Sequence, residues 1–368
     1  MRYLKLLFVS FLMILHISLN AQSQPRDSKD MQQSLQKLST MYYLINNFYV
    51  DTADLGSLTE EAIVAILKEL DPHSAYISKE DVEKANEPLV GSFEGIGVTF
   101  QIFQDTILVI SPVPGGPSDR VGIMAGDKIV TIDGEDAFGK KVNNDYVAKH
   151  LRGEKGTKVT LGIKRGKSDE LIDYEVIRDK IPLNSIEAAF MLDKNVGYIK
   201  LDRFAQTSNT EFEESLTKLK AQKMKSLILD LRGNTGGYLN VAAELGNQFL
   251  KKDMTIVYTE GDKSPKQIFN TDKNGKFTDG KLIILIDEGS ASASEIVSGA
   301  VQDWDRGILI GRRSFGKGLV QRPFNLPDGS QVRLTTARYY TPTGRCIQRS
   351  YEKGSEDYYN EMTKRMKH

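Results

Sequence analysis

Cysteine is almost missing from this chain: one residue, Cys346, in 368. A single thiol cannot build an internal disulfide framework, so the fold must be held by apolar burial. Histidine is scarce as well, with only His16, His73, His150 and His368. These residues and Cys346 form no cluster with metal-ligand spacing, and no zinc site is expected. Neither sign of charge is in excess, since 49 Lys and Arg stand against 49 Asp and Glu. A zero balance gives no reason to expect nucleic acid or an anionic membrane surface as a partner. After the first 21 residues no apolar run is long enough to cross a bilayer. With histidine so rare, a Ser-His-Asp triad could draw only on His73 or His150, and neither stands in a motif-like setting.

What is present fits an ordinary globular protein, with 40% apolar and 27% charged residues over a length that can carry two or three domains. Residues 1–21 read as a signal peptide: Arg2 and Lys5 precede an apolar run from Leu6 to Leu19, and Ala21 offers a small residue for cleavage. The expectation is export to a periplasmic or extracellular space, with no stable membrane span after cleavage. An uncleaved leader would instead leave the chain membrane-associated. Residues 22–88 form a helical region, in which Ser57 and Glu60 fit a capping box and Asp71-Pro72 ends the last helix. Residues 89–178 alternate short strands with glycine-rich turns. Residues 179–350 alternate strands such as "VGYIKL", "SLILDL" and "LIILI" with amphipathic helices, which argues for an α/β layer. Residues 351–368 read as a polar tail without strong periodicity. The chain as a whole is a multidomain α/β (α+β) protein.

Three stretches could carry chemistry. In "GSASASEI" (Gly289 to Ile296) a serine-rich turn follows a strand and opens a helix. Ser292 and Glu295 fit S-x-x-E, so Ser292 could be an N-cap. A helix N-terminus also favours negative charge, which suits a serine nucleophile and its oxyanion, and the two readings do not exclude one another. "GRRSFGKGLVQ" (Gly311 to Gln321) nearly spells a phosphate-binding loop. Gly318, however, stands where Ser or Thr should hold magnesium, and a strand containing Pro323 follows instead of a helix. Lys317 could instead be the base that the missing histidine leaves vacant, if burial or a nearby cation lowers its pKa. Gln321 lies four residues on, on the same strand face, and could orient the amine without adding charge. In "LILDLRGNTGGYLN" (Leu227 to Asn240) Gly236-Gly237 follows a buried strand, as a simple turn or as a source of backbone N–H groups.

Taken together, "SASASEI", "FGKGLVQ", "DLRGNTGG" and "LDPHSAYI" (Leu70 to Ile77) resemble the C-terminal processing peptidases, or tail-specific proteases, over roughly residues 35 to 350. The resemblance implies an α/β protease core, a PDZ-like domain at 89–178 and a serine endopeptidase needing no metal or organic cofactor. It implies Ser292 as nucleophile, Lys317 as base and Gln321 as its orienting partner. Ala293 and one of Gly236 or Gly237 would supply the oxyanion hole. The PDZ-like part implies capture of polypeptide C-termini by strand addition, with Gly95, Ile96 and Gly97 as candidate contacts. A homo-oligomer or a regulatory partner is left open. One departure stands out: after "YYTPTGRCIQ" the family continues into a strand with a G-I-x-P-D pattern, whereas here the polar tail follows. Either the chain is truncated after an insertion or its core is finished differently. The reading from another class is a catalytically inactive PDZ scaffold that binds peptides.

Overall fold

Apolar residues at spacings of three and four generate the first two helices, α1 (Arg26–Phe48) and α2 (Leu55–Leu70). The structure, a computed structural model, describes residues 26–139, 141–168 and 170–366, so the signal peptide expected at 1–21 lies outside the described residues. The chain divides into two compact units, residues 1–66 and 67–368. In the first, the apolar side chains of Met31, Leu35, Met41, Leu44 and Phe48 on α1 are exposed. The capping box expected at Ser57 does not open α2. Asp54 Oδ1 accepts from the N–H groups of Gly56 (3.0 Å) and Ser57 (3.2 Å). The carboxylate comes first in the chain and takes the orphan donors, so Ser57 falls inside the helix.

The second unit begins with β1 (Ala75–Ile77) and α3 (Val82–Val90), which ends on Gly91 at a φ of 79°. The β-rich module follows: β2 (Ser92–Gly95), β3 (Val98–Phe103), β4 (Thr106–Pro112), α4 (Pro117–Val121), β5 (Lys128–Ile132), β6 (Glu135–Asp136), α5 (Asn144–Leu151), β7 (Lys158–Lys164), β8 (Leu171–Ile177) and β9 (Asp179–Pro182). Its main sheet runs β3-β4-β5-β7-β8, with β6 on β5, and β2 pairs with β9. Alternation turns Ile107, Val109, Ile129, Leu161, Ile163 and Val176 into a shared core, each fully buried. Each such side chain contributes about 1.5–3 kcal/mol of transfer free energy.

The α/β part contains β10 (Ile186–Met191), β11 (Val196–Leu201), α6 (Ser208–Ala221), β12 (Ser226–Asp230), α7 (Leu239–Asn247), β13 (Thr255–Gly261), β14 (Ser264–Asn270), β15 (Lys281–Ile286), α8 (Ala293–Asp303), β16 (Ile308–Gly311), β17 (Leu319–Asn325), β18 (Gln331–Tyr340) and α9 (Ser355–Met366). Strands β11, β12, β15 and β16 are parallel, and β10 joins their edge antiparallel. A second sheet, β1-β18-β13-β14 with β17 on β18, is antiparallel throughout. The parallel strands end together, so the loops after β12 and β15 meet at one edge.

Residues 351–366 are not the polar tail expected. Helix α9 packs through Tyr358, which is 2% exposed and meets His73 edge-on at a centroid distance of 5.3 Å. The Tyr358 hydroxyl is 2.9 Å from His73 Nε2, and the Arg349 guanidinium lies 4.0 Å from the Tyr358 ring centroid. This docking relies on aromatic and cation–π contacts rather than an aliphatic stripe, so periodicity gave no sign of it. Truncation by Tyr358→Ala should cost about 3–5 kcal/mol, read as a lower urea midpoint. An unchanged midpoint would show that α9 adds nothing to the fold.

Candidate active site

The turn between β15 and α8 is stitched from both sides. Ser290 Oγ donates to Leu231 O (2.8 Å) and accepts from Asp287 N–H (2.9 Å), while Asp287 Oδ1 accepts from Gly233 N–H (2.9 Å). Ser294 Oγ donates to Asn234 O (2.9 Å), and Ala291 N–H donates to the same oxygen (3.0 Å). Ser290 and Ser294 are therefore fully buried tethers to the loop after β12. Ser292, between them, is half-buried and lines a cavity of about 350 Å³. Its φ is +55°, a strained value for a residue with a side chain, held by the bonds on either side.

Glu295 ties this turn to the Gly316-Lys317 turn. It is 2% exposed. Its Oε2 accepts from the N–H groups of Ser292 (2.9 Å) and Lys317 (2.9 Å). Its Oε1 accepts from Ser314 Oγ (2.7 Å) and Gly316 N–H (2.7 Å). Burial pushes the Glu295 carboxyl upward, against the pull of these four donors. The backbone N–H groups that a phosphate-binding loop would turn to a nucleotide are thus spent on a protein carboxylate. The chain then enters β17 rather than a helix. Tyr339 adds a second tie, its hydroxyl lying within reach of Lys317 O and of Ser292 O (3.1 Å).

Lys317 and Gln321 line the same cavity as Ser292. Lys317 Nζ donates to Gln321 Oε1 at 2.8 Å, and Gln321 Nε2 donates to the backbone oxygen of His73. No hydrogen bond joins Lys317 Nζ to Ser292 Oγ among the described residues. Burial first, then the Arg333 guanidinium, holds the Lys317 amine below the ordinary lysine value, with Asp71 and Glu295 opposing. His73 is no base for Ser292. Its ring is bonded to Tyr358, and burial, followed by the charge of Lys317, lowers its pKa to about 4. Asp71, two residues before it, caps the turn by accepting from His73 N–H (2.8 Å), Ser74 N–H (2.9 Å) and Ser74 Oγ (2.6 Å).

The two candidate glycines have different neighbours. Gly236 N–H donates to Asn234 Oδ1 (2.9 Å), and a Cβ there would stand 2.8 Å from Ser292 Cβ. Gly237 N–H and Ala293 N–H make no hydrogen bond among the described residues, and Gly237 lines the cavity. In the β-rich module an apolar groove of about 220 Å³ lies between β3 and α5, lined by Ile96, Gly97, Val98, Phe100, Val147 and Leu151. Gly95 is not in its lining; it ends β2, paired with Asp179. Ser118, a position without an assigned role in the sequence, is fully buried and donates from Oγ to Ile96 O at 2.7 Å. The Gly97 N–H makes no hydrogen bond among the described residues, whereas Ile96 N–H lies beside the backbone bridge from Gly95 to Arg152 and faces Leu151 O.

Sequence reasoning did not assign Tyr339, Arg333 or the His73 carbonyl, and it saw Glu295 only as half of a capping box. The S-x-x-E spacing was the one available signal, and it pointed to a local bond rather than to a link across 22 residues. No group of His, Cys, Asp and Glu among the described residues could hold a metal ion, and no described helix is long and apolar enough to cross a membrane.

Residues 195–355 match the model of peptidase family S41, residues 95–176 that of the PDZ domain, and residues 12–81 that of the activating protease CtpB N-terminal domain. Probable CtpA-like serine proteases from Staphylococcus haemolyticus (strain JCSC1435) and Staphylococcus aureus (strain COL) are each 35% identical to the chain over 322 residues, covering 87% of it. The chain spans 64% of the length of these relatives. Among solved structures, a photosystem II D1 C-terminal processing protease is similar at 27% identity, with 84% of this chain and 83% of that one covered and a TM-score of 0.48. Residues 195–355 are thus a peptidase family S41 domain, preceded by a PDZ domain at 95–176 and a CtpB-type N-terminal domain at 12–81, the parts that make up a C-terminal processing peptidase.

Proposed function

We propose that the protein is an exported serine endopeptidase that captures polypeptide C-termini and cuts with a Ser292–Lys317 dyad. The observation that carries this reading is the partly buried amine of Lys317, held by Gln321, in the same cavity as the half-buried serine of the turn between β15 and α8. In the neutral form, Lys317 Nζ takes the proton of Ser292 Oγ as Oγ attacks the scissile carbonyl carbon. The oxyanion forms against the free N–H groups of Ala293 and Gly237. The C–N bond then breaks, Nζ returns the proton to the leaving amine, and an ester remains on Ser292. Water attacks that ester, passes a proton to Nζ, and Oγ leaves with it to restore the hydroxyl. Nζ must move from Gln321 toward Oγ for the first step, a tightening expected when substrate fills the site. A binding scaffold would have no use for an amine kept out of water at such cost.

The groove between β3 and α5 supplies the capture step. An extended tail adding to β3 would place its terminal carboxylate at the N–H groups of the Ile96-Gly97 loop, of which that of Gly97 is free, and its last side chain against Phe100, Val147 and Leu151. An apolar terminal residue follows from that lining. The test is incubation with a loosely folded polypeptide ending in an apolar residue, with products mapped by mass spectrometry. Internal cleavage is expected, reduced at least about tenfold in kcat/KM when the terminus is amidated. A folded sample that yields no fragments would overturn the peptidase reading; equal cutting of both forms would overturn capture by the terminus.

A further inference from the structure

The cavity around Ser292 carries more positive charge than a dyad requires. Lys317, Arg203 and Arg333 line it, and no Asp or Glu does. Arg333 projects from β18, with Nη2 donating to Ala85 O (2.8 Å) and to Asn86 Oδ1 (3.1 Å), both neutral acceptors. Among the described residues neither Arg333 nor Arg203 has a carboxylate partner. Several arginines lining other cavities are paired instead: Arg232 with Asp230 (2.6 Å), Arg312 with Glu288 (2.6 Å), and Arg345 with Asp303, although Arg313, which is exposed, has no such partner among the described residues. The carboxylates nearest the dyad are already committed. Asp71 caps the His73 turn and accepts from Thr335 Oγ1 (3.1 Å), and Glu295 holds its four donors. A half-buried guanidinium without a counter-charge is costly unless something entering the site supplies one.

We infer that Arg333, with Arg203 beside the same cavity, is a specificity-determining residue that takes a substrate carboxylate next to the scissile bond. This rests on the peptidase reading of Ser292 and Lys317, and it names a substrate class that reading lacks. Substrates carrying Asp or Glu within a residue or two of the cut are favoured, and those carrying Lys or Arg there are rejected by the two guanidinium charges of Arg203 and Arg333. A planar guanidinium gives two-pronged recognition of a carboxylate, which a lysine at the same place would not.

The test uses the full chain and peptides that differ at one position flanking a mapped cleavage site, as Asp, Asn or Lys, with amidated C-termini. Asp should exceed Asn by roughly tenfold in kcat/KM, mostly through KM, with Lys poorest. In Arg333→Gln the Asp-to-Asn ratio should fall toward one, and in Arg333→Lys part of it should remain. A ratio measured within one variant does not depend on how much of that variant folds, and Arg203→Gln provides a second, milder reduction. A shorter peptide with a free terminal carboxylate at the same distance, cut as well as the Asp peptide, would assign the preference to chain ends rather than acidic side chains. Equal rates for Asp and Asn in the parent protein, or a ratio unchanged in Arg333→Gln, would overturn the inference. If the parent cuts nothing, the peptidase reading fails separately. Competition binding to Ser292→Ala then decides the charge preference, with equal affinity for the Asp and Lys peptides counting against it.

Discussion

Lys317→Ala should lower turnover by about 10³-fold or more, with the folded state retained. The amine is the one basic nitrogen brought to the cavity of Ser292 in a form that can lose its charge, and alanine leaves Ser292 Oγ with no proton acceptor. Ser292→Ala should fall as far, and the double variant little further, because base and nucleophile act as one unit. Lys317→Arg is the sharper control. It keeps the positive charge and the length, but a guanidinium stays protonated and cannot act as base. The same logic sets the pH dependence. The groups facing the Lys317 amine are Arg333, which lowers its pKa, Asp71 and Glu295, which raise it, and neutral His73; burial is the largest influence and lowers it. The amine must be uncharged to act, so kcat/KM rises as pH climbs through the folded pKa. The midpoint of that rise lies below the ordinary lysine value of about 10.4. Parent, Arg and Ala variants compared by initial rates from pH 5 to 10 would check this. A flat profile, or an active Arg variant, would remove Lys317 from the mechanism.

Glu295→Ala should be nearly as damaging to turnover and, unlike Lys317→Ala, should also destabilise the fold. Its carboxylate accepts from Ser292, Ser314, Gly316 and Lys317, and truncation orphans three backbone donors around a side chain that is only 2% exposed. Breaking a buried charged network by removing one member costs about 3–5 kcal/mol. The activity loss follows from geometry, since this carboxylate holds backbone N–H groups of both the nucleophile turn and the base turn, and a 1 Å misplacement can cost about 10²-fold. Glu295→Gln separates the two effects: an amide keeps one acceptor oxygen but turns two N–H groups toward protein donors, so it should recover little. Urea denaturation beside peptide turnover is the measurement. A Glu295→Ala protein with parental stability and rate would mean that the two turns hold their positions without this link.

The residues proposed to carry the chemistry were legible because each sits in a short stretch with distinctive local features. Glycines flank Lys317, small residues flank Ser292, and the apolar runs of β12 and β15 mark buried parallel strands. What escaped was whatever depends on contacts between distant segments. His73 looked like a weak candidate base, yet its backbone oxygen holds Gln321, 248 residues away. Helix α9 looked like a tail because a single buried tyrosine, set edge-on to His73 and under the Arg349 guanidinium, docks it. The choice between Gly236 and Gly237 could not be made from a Gly-Gly pair, since it turns on Asn234 Oδ1 occupying one of the two N–H groups.

By itself, then, the sequence determined the α/β character, the PDZ-like module, the family resemblance, and which serine, lysine and glutamine to watch. These follow from periodicity, glycine placement and residue chemistry, all of which act over a few positions. It took the folded chain to show that Ser290 and Ser294 are tethers, that Glu295 joins the two turns, and that Lys317 is partly buried in a cavity shared with an arginine that has no carboxylate partner among the described residues. Burial, charge environment and long-range hydrogen bonds depend on which segments the fold brings together, and no local pattern records that.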